Sequence, residues 1–247
     1  MEFIFTREMK TDLLDVDNIF TKSLLPWWDE ISVYVPRVED LSFKLLPAMV
    51  VNAYRYMGIE RDSYLEMANL FKTIYFASKV HVLIKDDEDG QKHNQELQFT
   101  ILIGDYIFGK VLSLLLKTDC DKLLDIFAVM LCDINEGLII EHKMNGTRQE
   151  VLAKTMGPLY KNAFLTAAKV AGLIHEKALI YGEIGYNLGI ALELIYIYEQ
   201  KHDAHTYLDK AEMLLMQLNR NEICEIEALE NLMQEIRNNL GGSVNGL

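Results

Sequence analysis

Gly182-Glu183-Ile184-Gly185-Tyr186-Asn187-Leu188-Gly189-Ile190-Ala191 places three glycines in the middle of an apolar run with helical spacing, His175 to Gln200. Each glycine in a helix interior costs about 1 kcal/mol relative to alanine. A compensating gain is therefore required. Either a neighbouring helix packs closely against the bare backbone or a ligand does. The segment predicts a long, tightly packed helix.

Outward from this helix the same period persists nearly everywhere after Val38. Asp40 to Met57 carries Leu41, Leu45, Ala48, Val51 and Ala53, and Gly58 stops it. Asp62 or Ser63 caps the next helix, with Leu65, Ala68, Phe71, Ile74, Tyr75 and Ile84 on its apolar side. A charged loop, Lys85 to Asn94, leads to helices over Glu96 to Lys117 and Asp119 to Lys143, both apolar on more than one face. Thr147-Arg148-Gln149-Glu150 is a capping box opening a helix to Gly172, with a kink expected at Pro158. Ala204 to Leu218 and Glu222 to Asn238 close the series. Residues 1–37 are the least regular and are assigned to an N-terminal segment packing on the bundle. Residues 38–240 form one helical domain, and 241–247 a flexible tail. Trp27 and Trp28, beside Pro26, are expected to pack in the core or as a cap. The predicted class is all-α, a helical bundle in a single domain.

Composition narrows the function. With 24 Lys and Arg against 37 Asp and Glu the chain carries a net charge of −13. Phosphate neutralisation needs clustered cations, so a nucleic-acid partner is disfavoured, as is a polybasic membrane-surface helix. Cys120, Cys132 and Cys224 are widely spaced and form no paired ligand pattern, which together with the lack of a secretory leader predicts a cytoplasmic protein. No uninterrupted apolar run reaches the length of a membrane span. The histidines show no zinc spacing, and no nucleophile elbow, Walker loop or dinucleotide fingerprint occurs.

Several segments, taken in order, resemble the trans-polyprenyl diphosphate synthases. Ala77-Ser78-Lys79-Val80-His81 is similar to that family's A-S-L-x-H, and Leu102-Ile103-Gly104-Asp105-Tyr106 to its L-x-G-D-[YF] helix. Lys154-Thr155-Met156-Gly157-Pro158-Leu159 resembles its K-T-x-x-L segment, Gly185 to Ala191 its G-x-x-L-G-x-A run, and Lys44 to Ala48 the end of its G-G-K-R-x-R-P-A. The resemblance implies an isoprenoid synthase-type bundle, and it implies Lys44, Lys154 and Thr155 as residues that could meet a diphosphate.

The departures from that pattern carry the functional expectation. The family holds magnesium ions between two aspartate-rich motifs, because a departing diphosphate needs hard cations with oxygen ligands. Here the first motif reads Val82-Leu83-Ile84-Lys85-Asp86 and the second Tyr196-Ile197-Tyr198-Glu199-Gln200, preceded by Leu192-Glu193 in place of phenylalanine and glutamine. No catalytic or metal-binding residue is therefore assigned, and the acids at Asp86, Asp87 and Asp89 are taken as a solvated loop. The chain resembles the small, non-catalytic component of heterodimeric heptaprenyl or hexaprenyl diphosphate synthases, whose product is the menaquinone side chain. That resemblance implies no cofactor bound by this chain alone, magnesium in a catalytic partner subunit, and a homodimer as an option in isolation. Gly104 and Gly109 are expected to admit the partner's helices. Two alternatives stand beside it: an isoprenoid synthase with an atypical site, and a helical binding or regulatory protein.

Overall fold

A computed structural model describes residues 9–83, 95–117, 123–218 and 220–241. Among them every regular element is helical: α1 (Lys10–Ser23), α2 (Trp28–Ser32), α3 (Val35–Val38), α4 (Leu41–Tyr56), α5 (Arg61–Val82), α6 (Gln95–Lys117), α7 (Leu124–Lys143), α8 (Arg148–Thr155), α9 (Gly157–Val170), α10 (His175–Tyr196), α11 (Lys201–Leu215) and α12 (Ile226–Gly241), with a 3-10 turn at Arg220–Glu222. The described residues form the all-α bundle that the sequence predicts.

The bundle centres on α4, α5, α9 and α10, which are buried on nearly all sides. Asp40 caps α4 by accepting the Phe43 amide at 3.0 Å. At α8 the predicted capping box forms, with Thr147 and Glu150 satisfying each other's orphan donors. The glycine-rich run is offset by helix packing: α9 lies so close to α10 that a Cβ at Gly189 would overlap the Tyr160 ring, and one at Gly185 would meet Phe164 at 2.5 Å and the Tyr160 carbonyl at 2.6 Å. Farther out, α1 docks on α5 through Lys72, whose ammonium sits 4.1 Å from the Phe43 ring centre and pairs with Asp17 at 2.5 Å.

Five expectations change. The helix predicted over 147–172 is two helices meeting at Met156, because Pro158 occupies the first turn of α9 rather than a helix interior; there its missing N–H costs nothing. The irregular N-terminal stretch contributes three helices. Trp28 packs edge-on against Phe20 at 5.9 Å, but Trp27 is half exposed. By length and composition α10 and the Gln98–Leu116 part of α6 are apolar enough to cross a bilayer, since Asp105 and Lys110 interrupt the latter only briefly; α10 is mostly inside the bundle, α6 only one-third buried. Gly104 does not face outward: a Cβ there would meet the His81 imidazole at 2.7 Å, while Gly109 has nothing within 4 Å. His81 is half-buried and stacks on Phe108 with ring centres 5.2 Å apart. The acids Asp86, Asp87 and Asp89, Cys120 and the 242–247 tail lie outside the described residues.

Gly185→Ala tests the α9–α10 contact. Helix propensity alone would favour alanine by about 1 kcal/mol, yet backbone cannot yield as a flexible side chain can. The expected outcome of denaturant unfolding is a net loss on the order of 1–3 kcal/mol.

Candidate functional site

The inner ends of α4, α5, α7, α8 and α10 enclose a cavity of about 160 Å³. Its polar wall is built from residues far apart in sequence. Glu193, on α10 and 1% exposed, accepts the Ser42 hydroxyl at 2.9 and 3.0 Å on its two oxygens and the Tyr160 hydroxyl at 2.7 Å. Beside it the Tyr75 hydroxyl donates to Asp40 at 2.8 and 2.6 Å, and the Lys79 ammonium lies 3.6 Å from Asp40. The opposite wall is apolar, with Val82, Ile134, Leu138 and Ile197.

Burial raises the Glu193 carboxyl from its ordinary 4.5 to about 7; the Tyr160 and Ser42 hydrogen bonds oppose that rise and the Asp40 charge adds to it. Burial likewise raises Tyr75 and Tyr160, and the neighbouring carboxylates reinforce the effect. Among the described residues Lys79 is the cation that acts on Glu193, and it does not offset the effect of burial.

Of the residues implied to meet a diphosphate, only Thr155 reaches this cavity, and its hydroxyl donates to the Val151 carbonyl at 2.8 Å. Lys44 is 70% exposed on the outside of α4, paired with Glu39 at 2.9 Å. Lys154 points into an open groove between α7, α9 and α10, held by Asp133 at 3.1 Å and Glu136 at 2.8 Å. Sequence reasoning missed the Ser42–Glu193–Tyr160 cluster, although the glutamate at position 193 was itself a visible departure from the family pattern.

A divalent cation does not fit this donor set. Among the described residues no three His, Cys, Asp or Glu side chains converge on one point. Glu193 is committed to two hydroxyls and Asp40 to Tyr75, with an ammonium beside it. The first and second aspartate-motif positions present Val82 and Ile197 to the cavity, and the Tyr196 hydroxyl instead accepts from Asn239 at 2.7 Å. Among the described residues the cavity offers a single lysine, three carboxyl groups and apolar side chains, poor chemistry for a diphosphate.

Because the folded carboxyl titrates near 7 and an unfolded one near 4.5, the folded chain binds the extra proton between those values. Its stability therefore falls as pH rises from about 4.5 to about 7 and stays lower above that. Glu193→Gln keeps the hydrogen-bonding shape without the charge. Relative to wild type it should gain stability above pH 7, on the order of 3 kcal/mol, and none near pH 4. Chemical denaturation of both proteins across pH 4–8 measures this, and parallel curves would contradict it.

No family model matches the sequence. A decaprenyl-diphosphate synthase from Dictyostelium discoideum is 26% identical over 145 residues, 54% of this chain, and the match spans about a third (32%) of that relative's length. Among solved structures, a decaprenyl diphosphate synthase from Rhodobacter capsulatus superposes with a TM-score of 0.75 at 12% identity, covering 96% of this chain and 98% of that one. A polyprenyl synthase from Caulobacter crescentus, complexed with calcium and isoprenyl diphosphate, gives 0.71 at 18%, covering 94% and 96%. The small subunit of geranyl diphosphate synthase from Antirrhinum majus gives 0.70 at 15%, covering 94% and 100%. The superpositions show that this chain has the fold of the polyprenyl diphosphate synthases.

Proposed function

We propose that this chain is a non-catalytic subunit of a heterodimeric long-chain polyprenyl diphosphate synthase. The observation that carries the reading is the cavity wall: where the family places acids to hold magnesium, Val82 and Ile197 line a small cavity. Prenyl transfer needs its departing diphosphate neutralised, and among the described residues the one cation lining the cavity, Lys79, lies beside Asp40. The packed core is nonetheless intact. A scaffold kept without its chemistry is useful by shaping a neighbour.

The surface suits that role. Leu102, Leu112 and Leu116 on α6 and Val129 and Ile139 on α7 are all more than half exposed, and an apolar helix face in water calls for a partner. In this reading the catalytic subunit supplies the magnesium and the reacting centre, and this chain influences product length, with a menaquinone side chain as the fitting product class. The apolar residues Val82 and Ile197 at the motif positions favour the subunit reading over an atypical solo synthase.

Titration calorimetry of the isolated chain with farnesyl diphosphate and magnesium is expected to give no saturable heat, and addition of isopentenyl diphosphate no elongated product. Co-expression with a motif-complete synthase should yield a pair whose product is longer than either chain makes alone. An unchanged oligomeric state and product length of that synthase would show the reading wrong.

A further inference from the structure

The carboxylate of Glu193 is short of donors. Tyr160 gives it one hydrogen at 2.7 Å, and Ser42 gives a second, its single hydroxyl hydrogen shared between oxygens at 2.9 and 3.0 Å. A carboxylate has roughly four lone-pair sites to fill. One that is 1% exposed ordinarily fills them with protein donors or an ion pair. Lys79 does not close the gap, because its ammonium lies 3.6 Å from Asp40 and 5.2 Å from the centre of the Tyr75 ring. Glu193 instead lines the 160 Å³ cavity, together with Glu141 and Tyr198. Tyr198 is close enough to feel the charge of both carboxylates.

We infer that this cavity binds a small primary alkylammonium, its head on Glu193 and its apolar tail against Val82, Ile134, Leu138 and Ile197. The inference stands apart from the subunit reading. Sign comes first. Among the described residues the lining holds three carboxyl groups and one lysine, which opposes an anion and favours a monocation. An ammonium carries three N–H donors, and Glu193, Glu141 and the Tyr198 hydroxyl are acceptors on the same lining. A divalent metal asks for about six oxygens, which the apolar wall denies it. Size agrees. An apolar cavity of about 150 Å³ takes benzene, so this one holds about six heavy atoms.

The empty site is neutralised by a proton, so the ammonium competes with that proton. The groups facing Glu193 from other elements are Asp40 on α4, Tyr75 and Lys79 on α5, Glu141 on α7, Tyr160 on α9 and Tyr198 past the end of α10. Burial keeps the three tyrosines uncharged near neutrality. Binding therefore strengthens as pH rises through about 7, where Glu193 ionises.

The test is titration calorimetry of the full chain with isopentylammonium chloride at constant ionic strength. One saturable site is expected at pH 8, weaker by about tenfold at pH 6, with neither isopentyl alcohol nor inorganic diphosphate giving comparable heat. Glu193→Gln keeps the shape without the charge and should weaken binding at least tenfold. Leu138→Trp crowds the apolar wall without altering charge and should weaken it as much, circular dichroism confirming that each variant is folded. Equal binding of the alcohol, or unchanged affinity in either folded variant, overturns the inference. So does saturable heat from diphosphate in place of the amine, or none from the amine at pH 8.

Discussion

Tyr160 joins the fold to the site. Its ring rests against the bare backbone of Gly189, and its hydroxyl reaches 2.7 Å from Glu193, one turn farther along α10. Replace the glycine with any larger residue and the ring must move; move the ring and the buried carboxyl loses a donor. The close approach of α9 to α10 thus sets both the density of the core and the shape of the cavity it encloses. Glycine's cost in helix propensity is offset because two large helices share one packed seam, with Gly185 against Phe164 and Tyr160 extending it by a turn.

The electrostatics of the cavity follow from what occupies it. A site for diphosphate and magnesium needs several carboxylates that stay ionised, held apart from one another by cations. Here the deep carboxyl sits among hydroxyls, and burial draws it toward neutrality near pH 7. The nearest ammonium, Lys79, is turned to Asp40. The apolar positions Val82 and Ile197 remove the remaining demand for a metal. Hydroxyl–carboxyl hydrogen bonds through Ser42, Tyr160 and Glu193 join the inner ends of α4, α9 and α10.

Much of this was legible in the sequence because it is local. Periodicity located α4 through α10, the Thr147–Glu150 pair located a helix start, and the glycine run predicted close packing that the Tyr160 contact supplies. Boundaries failed where a rule has two outcomes. Pro158 can kink a helix or begin one, and only the turn at Met156 decides. The N-terminal helices α2 and α3 are five and four residues long, too short to show a period. The cavity was less legible. Ser42 and Glu193 are 151 residues apart, and their pairing depends on tertiary geometry. Family spacing placed Lys44 and Lys154 near a diphosphate, but spacing says nothing of which way a side chain leaves its helix, and both leave toward surface acids. Gly104 was assigned to a partner for the same reason and in fact accommodates His81.

In the subunit reading proposed above, this chain works through contact with another chain. Native mass spectrometry of the complex isolated from the protein's own cells addresses that directly. The account predicts one copy of this 28.4 kDa chain bound to one copy of a longer polyprenyl synthase that retains both aspartate-rich motifs. A free monomer, a homodimer, or a complex with an unrelated protein would contradict it.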